Sequence, residues 1–206
     1  SNGGYAALGA VIERLSNRPY TEVMSNLLFD PLGVKPHFGF PSYLGPDQTW
    51  GHIAYWGAAS VGRPIDQFLP PMLWPAGMVN MTVKDFARFV QLHLRGMVGK
   101  DDAGFTSAMI NDLHQPRISV DSPLEAHYAA GWVVEKIGGK EIHWHNGSTG
   151  NFFAYMAIDP ARKKGVVVVT NVGDEQGNRV CWDIVYRLLI GGRKAKQPQA
   201  LSASVP

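Results

Sequence analysis

Residues 141–160 read EIHWHNGSTGNFFAYMAIDP. KEIHWH at 140–145 and NFFAYMAID at 151–159 read as strands on either side of a Gly-Ser-Thr-Gly turn, and the pattern continues outward. YAAGWVVEKI at 128–137 precedes them across Gly138-Gly139, and GVVVVTN at 165–171 follows across Pro160 to Lys164. Connections this short join antiparallel neighbours, so the four segments predict a meander.

Around the meander the period changes to that of helices. Tyr5, Leu8, Ile12 and Leu15 recur at helical spacing with Ser1 or Asn2 placed to cap, predicting a helix from about Gly4 to about Leu15. Val23, Leu27 and Leu28 suggest a second, which stops near Asp30 because Pro31 disfavours a helical residue before it. Thr82, three residues before Asp85, opens a third. Its buried face is Phe86, Phe89, Val90, His93, Leu94 and Met97, with His93 a hydrogen-bonded core histidine and Gly99 the stop. The last helix carries Val180, Ile184, Val185, Leu188 and Leu189 up to Gly191-Gly192. The tail, 193–206, has no apolar pattern and is expected to be loosely packed. Residues 36–77, rich in proline, glycine and aromatics including Trp50, Trp56 and Trp74, read as a functional loop or as an irregular layer over the core.

Composition narrows the function. A length of 206 residues with 45% hydrophobic content allows one full core or two small ones. The 19 Lys plus Arg against 17 Asp plus Glu give no basic field for nucleic acid. No apolar run approaches the roughly 20 residues of a membrane span. The single cysteine, Cys181, sits among apolar neighbours and reads as a buried structural thiol.

Three chemistries suit the opening stretch. His143 and His145, two apart on a strand, share a face as metal ligands would, but no third ligand is evident and no metal or cofactor is expected. Ser148 as an elbow nucleophile would need Gly-x-Ser-x-Gly, and residue 146 is Asn. The stretch can also be one wall of a larger site.

The order of several short words favours that third reading. GYAALGAVIERLS after Ser1-Asn2, LLFDPLGV, WPAGMVNMTVKDFARFVQLHLRG, GW, HNGSTGNF and VVVVTN together resemble the penicillin-recognising serine hydrolases, namely class C-type β-lactamases, D,D-peptidases and related esterases. The resemblance covers residues 1 to about 190 and implies an α+β fold: an antiparallel β-sheet flanked by helices plus a mostly helical domain, incomplete at the N-terminus. It divides the chain into a helical-domain portion (1–127), the meander with the last helix (128–192) and the tail. Ser1-Asn2 look like the end of a Tyr-Ser-Asn motif, and His145-Asn146-Gly147 like the Lys-Thr-Gly or His-x-Gly element of a sheet edge.

Acyl transfer needs an activated nucleophile, donors for the developing oxyanion and groups that hold substrate. The resemblance implies catalytic roles for Asn2, His145 and Ser148: the Asn2 carboxamide holding substrate amide and lysine, the Ser148 N–H as oxyanion donor, and His145 bonding a base or a substrate carboxylate. Ser1, Asn146 and Gly147 are the expected substrate-binding residues, Gly147 because it lets substrate backbone approach. Taken alone, Asn2 reads first as a helix cap, and His145 reads as a strand residue at a rim.

The departures matter as much. Ser-x-x-Lys does not occur, Ser60-Val61-Gly62-Arg63 coming nearest with an arginine that cannot act as base. The nucleophile, its lysine and the tyrosine are therefore expected upstream, and this chain by itself is expected to be inactive. Histidine in the third element, largely neutral at pH 7, shifts the expectation toward esterase or D-amino-acid peptidase activity over β-lactam hydrolysis. The expected partners are a small ester, amide or peptide-like substrate, and either the missing N-terminal segment or a second copy across an uncovered sheet edge. The resemblance implies a periplasmic or secreted setting, while the sequence alone allows a cytoplasmic one. A non-catalytic binding module of the same fold and an autoprocessed hydrolase using Ser1 as nucleophile are the rival readings.

Overall fold

The computed structural model describes residues 1–55, 58–61, 69–120 and 125–191. Trp56, Arg63 and the tail at 193–206 lie outside the described residues. The meander expected from the sequence is the centre of the molecule. Strands β5 (Ile118–Ser119), β6 (Ala126–Tyr128), β7 (Val133–Ile137), β8 (Lys140–Ser148), β9 (Phe153–Asp159) and β10 (Lys164–Thr170) form one antiparallel sheet in the order β10-β9-β8-β7-β6-β5. The strand expected over 128–137 is broken by a turn through Ala129 to Trp132, where Gly131 takes φ 82°. β8 is longer than expected and carries His145, Asn146 and Gly147 within the strand; the turn begins only at Thr149.

Helices cover both faces. On one, α5 (Glu175–Leu189) is capped by Asp174, whose carboxylate accepts from Gln176 and Gly177 N–H. It packs Cys181, Trp182, Val185 and Leu189 onto Val133, Trp144, Tyr155 and Ala157. Phe153, Tyr155 and Trp144 stack in sequence, with ring centroids 5.7 and 5.8 Å apart. Of the five apolar residues that mark this helix in the sequence, only Val185 and Leu189 are buried. Val180, Ile184 and Leu188 form a second stripe turned outward, because Trp182 and Cys181 set the helix's rotation. The thiol is fully buried, which pushes its pKa up to about 11.

On the other face lies α3 (Val83–Met97), capped by Thr82 Oγ1 accepting from Asp85 N–H and packed through Val90 against Trp132, Val134 and Ile158. Helix α4 (Ser107–Leu113) crosses it where Gly96 meets Ile110; a Cβ at Gly96 would lie 2.4 Å from the Ile110 side chain. Helix α1 (Asn2–Ser16) is capped by Ser1, and its packing face runs through Tyr5, Gly9 and Ile12. Leu8 and Leu15, whose spacing helped to predict the helix, are exposed, because Gly9 is the point of closest approach to Pro75. The second helix, α2 (Tyr20–Met24), passes into a π-helical turn at Ser25–Phe29 that ends at Asp30 as expected. It buries Val23 and Phe29 and leaves Leu27 exposed. The aromatic segment contains strands β1 (His37–Phe38), β2 (His52–Tyr55) and β3 (Ala58–Val61). β1 pairs with β4 (Val79–Asn80).

His93 is the buried, hydrogen-bonded core histidine expected, and it belongs to a chain of three. Its Nδ1 lies 2.9 Å from His114 Nε2, His114 Nδ1 lies 3.1 Å from His143 Nδ1, and His143 Nε2 reaches Glu141 Oε1 at 3.3 Å. A carboxylate only accepts, so His143 carries its proton on Nε2. Its Nδ1 then accepts from His114, and His114 Nε2 accepts from His93. The tautomers of three rings follow from one surface carboxylate. Both nitrogens of His143 are engaged, so it is not aimed at a metal, and the described residues contain no group of three metal-type ligands.

Burial holds these rings neutral, with the pKa of His93 lowered to about 4 and that of His114 to about 2, the latter helped by the neighbouring histidines. The unfolded chain binds protons near pH 6.5 where the folded one does not, so stability is complete above that value and falls as pH drops toward the folded values. Urea unfolding should lose on the order of 2 kcal/mol from His93 alone between pH 7.5 and 5. His93→Gln, which does not titrate, should remove that share and leave the loss carried by His114.

Candidate active site

The pairing of β8 determines what its end can do. Thr149 N–H donates to Phe152 O at 3.2 Å. Alternation along an antiparallel pair then makes Gly147↔Ala154 a hydrogen-bonded pair and Ser148↔Phe153 a non-bonded one. The backbone groups of Trp144, Asn146 and Ser148 therefore point away from β9, toward β7. β7 begins at Val133, opposite Trp144, so beyond that pair Asn146 and Ser148 face an edge that β7 does not cover.

The N-terminal end of α1 stands beside this edge. Tyr5 Oη lies 3.3 Å from Tyr128 Oη, which lies 3.3 Å from His145 Nε2. Gly131, beside Tyr5, takes φ 82°, a conformation that favours glycine, and a Cβ there would make only an ordinary contact of 3.4 Å with the Tyr5 hydroxyl. Burial lowers the pKa of His145, and a hydrogen bond with the Asn146 backbone opposes this. The tyrosine bridge brings the Ser1-Asn2 end of α1 and the His145 strand together. The ring is neutral at pH 7.

The expected residues are placed unequally. Ser1 is the cap, its Oγ accepting from Gly4 N–H at 3.2 Å, so Asn2 is the first helical residue and is exposed. Gly147 is exposed with open space where a Cβ would be. The Ser148 hydroxyl is turned aside, donating to Gly173 O at 2.7 Å and accepting from Gly150 N–H at 3.0 Å, which leaves its backbone N–H as the group facing the edge. Asn146 lies on the opposite face of the strand from His145, its amide donating to the buried Tyr155 hydroxyl at 3.2 Å. The far side of the turn is fastened to the aromatic segment: His52 N–H donates to Asn151 O, and Asn171 Nδ2 donates to Trp50 O at 3.0 Å. This holds the backbone of Trp50, whose side chain is half exposed, beside the turn. The sequence alone does not single out Tyr5, Tyr128 or Trp50 as site residues, although Tyr5 lies within one of the words that carry the resemblance.

The beta-lactamase family model matches residues 1–188. The chain belongs to that family. Penicillin-binding protein 4 of Amycolatopsis lactamdurans is 27% identical over 175 residues, covering 82% of this chain and 46% of its own length. Protein flp of Staphylococcus aureus is 22% identical over 180 residues, covering 85% and 33%. The chain thus spans half or less of these curated relatives. The octameric penicillin-binding protein homologue from Pyrococcus abyssi superposes with TM-score 0.74 at 23% identity, over 93% of this chain and 42% of its own. A class C beta-lactamase gives 0.69 at 19%, over 94% and 58%. The fold of this family member is therefore that of the β-lactamases, with an antiparallel sheet and flanking helices in an α+β arrangement, as the sequence implied.

The turn after β8 offers a direct check of the site's geometry. A Cβ on Gly173 would lie 2.1 Å from Gly150 O. Gly173→Ala should push the turn off Ser148 and cost about 1–3 kcal/mol, read as a lowered melting temperature.

Proposed function

We propose that this chain is the part of an acyl-transferring serine hydrolase that supplies two walls of its cleft. The Ser-x-x-Lys nucleophile and the tyrosine base come from sequence upstream, and the substrate is an ester, an amide or a β-lactam. The observation that carries this is the Tyr5-Tyr128-His145 bridge, which sets the first turn of α1 against the free edge of β8. Between them the Asn2 carboxamide holds the substrate amide, Gly147 admits substrate backbone, and the Ser148 N–H is aimed at the developing oxyanion. The neutral His145 is no permanent cation for a carboxylate, which favours esters and D-amino-acid amides over β-lactams. The similar folds include a D-amino acid amidase of Ochrobactrum anthropi and a D-stereospecific amidohydrolase of a Streptomyces.

The same reading extends to partners. Among the described residues no strand pairs with the outer edge of β10, and Val180, Ile184 and Leu188 form an exposed apolar stripe on α5, the helix that packs on that strand. This surface suits the upstream segment or, in its absence, a second copy. The 206-residue chain should self-associate in scattering experiments, and Ile184→Lys with Leu188→Lys should return it to a monomer. A wild-type chain that stays monomeric at all concentrations contradicts this.

Labelling with a fluorophosphonate or penicillin probe tests the reaction. The natural-length protein should carry the adduct on an upstream serine, and this chain alone should carry none. An adduct on Ser1 would indicate autoprocessing, and no adduct on the natural-length protein would leave a binding module. In that protein Asn2→Ala should slow acylation at least about tenfold. It should leave the melting temperature unchanged, since Ser1 provides the cap.

A further inference from the structure

The chain just beyond β10 is held more firmly than its exposure requires. β10 ends at Thr170, and the half-buried Asn171 and Val172 lead to Gly173, whose carbonyl accepts the Ser148 hydroxyl at 2.7 Å. The other side of this strip is gripped by one residue of the aromatic segment. His52 N–H donates to Asn171 O at 2.6 Å and to Asn151 O at 3.1 Å, and His52 O accepts from Gly173 N–H at 3.0 Å. His52 and Val172 thus form a single parallel bridge, with no ladder beside it to spread the cost of ordering. The Asn171 side chain reinforces it: Nδ2 donates to Trp50 O at 3.0 Å and lies 3.1 Å from His52 Nδ1. An amide oxygen in that place would face the Trp50 carbonyl, so the carboxamide has one orientation. Glycines let the parts close. A Cβ on Gly51 would lie 2.4 Å from Asn151 Cβ, and one on Gly177, in the first turn of α5, 2.0 Å from Val172 O.

We propose that Asn171 is a positioning residue for the backbone N–H of Ser148, acting through the His52 bridge and the Gly173 carbonyl. That this N–H serves an oxyanion rests on the hydrolase reading above; the support of the turn does not. With Trp50 and His52 fastened, the strip 171–173 cannot retreat, and Gly173 O stays where it takes the Ser148 hydroxyl. That hydroxyl accepts from Gly150 N–H at 3.0 Å and so fixes the turn that follows β8. If the strip moves, the hydroxyl loses its acceptor and is no longer held aside, and the N–H loses its aim. A donor directed at developing charge loses effect steeply with small displacements. Support of this kind therefore acts on the chemical step more than on substrate binding.

Amide hydrogen exchange and the hydrolysis of p-nitrophenyl acetate, both measured on the natural-length protein, test this together. Asn171→Asp keeps the size of the side chain but replaces the donor with an acceptor, and Asn171→Ala removes both. Each should speed exchange at the His52, Gly150 and Gly173 amides at least about tenfold, as loss of a hydrogen bond from a local opening does. Each should also lower kcat at least about fivefold while KM stays within about twofold. Ile110→Val, which takes one buried methylene from the contact between α3 and α4, should leave kcat and those amides unchanged. That control separates positioning from a general loss of stability. Unchanged exchange in Asn171→Asp, or a kcat that falls no further than in Ile110→Val, overturns the proposal. If exchange responds as expected but the wild type turns over no p-nitrophenyl ester, D-amino-acid amide or β-lactam, the positioning stands and the hydrolase reading falls.

Discussion

The structure depends on a mismatch in length between two neighbouring strands. β8 continues four residues past the point where β7 begins, at the pair Val133↔Trp144. Up to that pair β8 is an interior strand with both sides bonded; beyond it, one side is free. Because backbone groups alternate between the two sides, the free side falls to Asn146 and Ser148. Because side chains alternate between faces, His145 goes to the face shared with α3, and Asn146 to the face covered by α5. A slip of one residue would exchange all of these. The register is held by Trp144, Tyr155 and Ala157 inside one cluster and by Val134 and Ile158 inside the other.

The two histidines of β8 share a face and do different work. His143 ends a buried chain of neutral imidazoles, held by a surface glutamate and linking β8 to α3 and to the end of α4. His145, two residues on, is held by tyrosines from β6 and α1. The first chain fixes the sheet against its helices, and the second fixes α1 against the rim. Both rely on neutral rings, so acid should loosen the fold and disturb the rim together.

Much of this was legible in the sequence. The meander, the Thr82 cap, the buried Cys181 and the core role of His93 follow from alternation, capping chemistry and helical spacing, which are local signals. Which face of a helix is buried was harder to read. In α5, Val180, Ile184 and Leu188 are as apolar as their neighbours, and only the fit of Trp182 against Trp144 and Tyr155 decides the rotation. In α1 a glycine, Gly9, marks the contact because it admits Pro75, while Leu8 and Leu15 stay outside. At the site, the order of short words located His145 to Ser148. The direction of the Asn146 side chain and the tyrosine bridge depend on strand register and on a contact spanning 123 residues, neither of which has a local signature.

The central claim is that the first turn of α1 and the free edge of β8 face one small molecule. A phenylboronic acid, which becomes tetrahedral on a serine hydroxyl and mimics the oxyanion, addresses it directly in the natural-length protein. The account predicts that saturating boronate shifts the amide-proton resonances of Ser148 and of the Asn2 side chain together, with one dissociation constant. Shifts confined to one of the two, or following different constants, would contradict it.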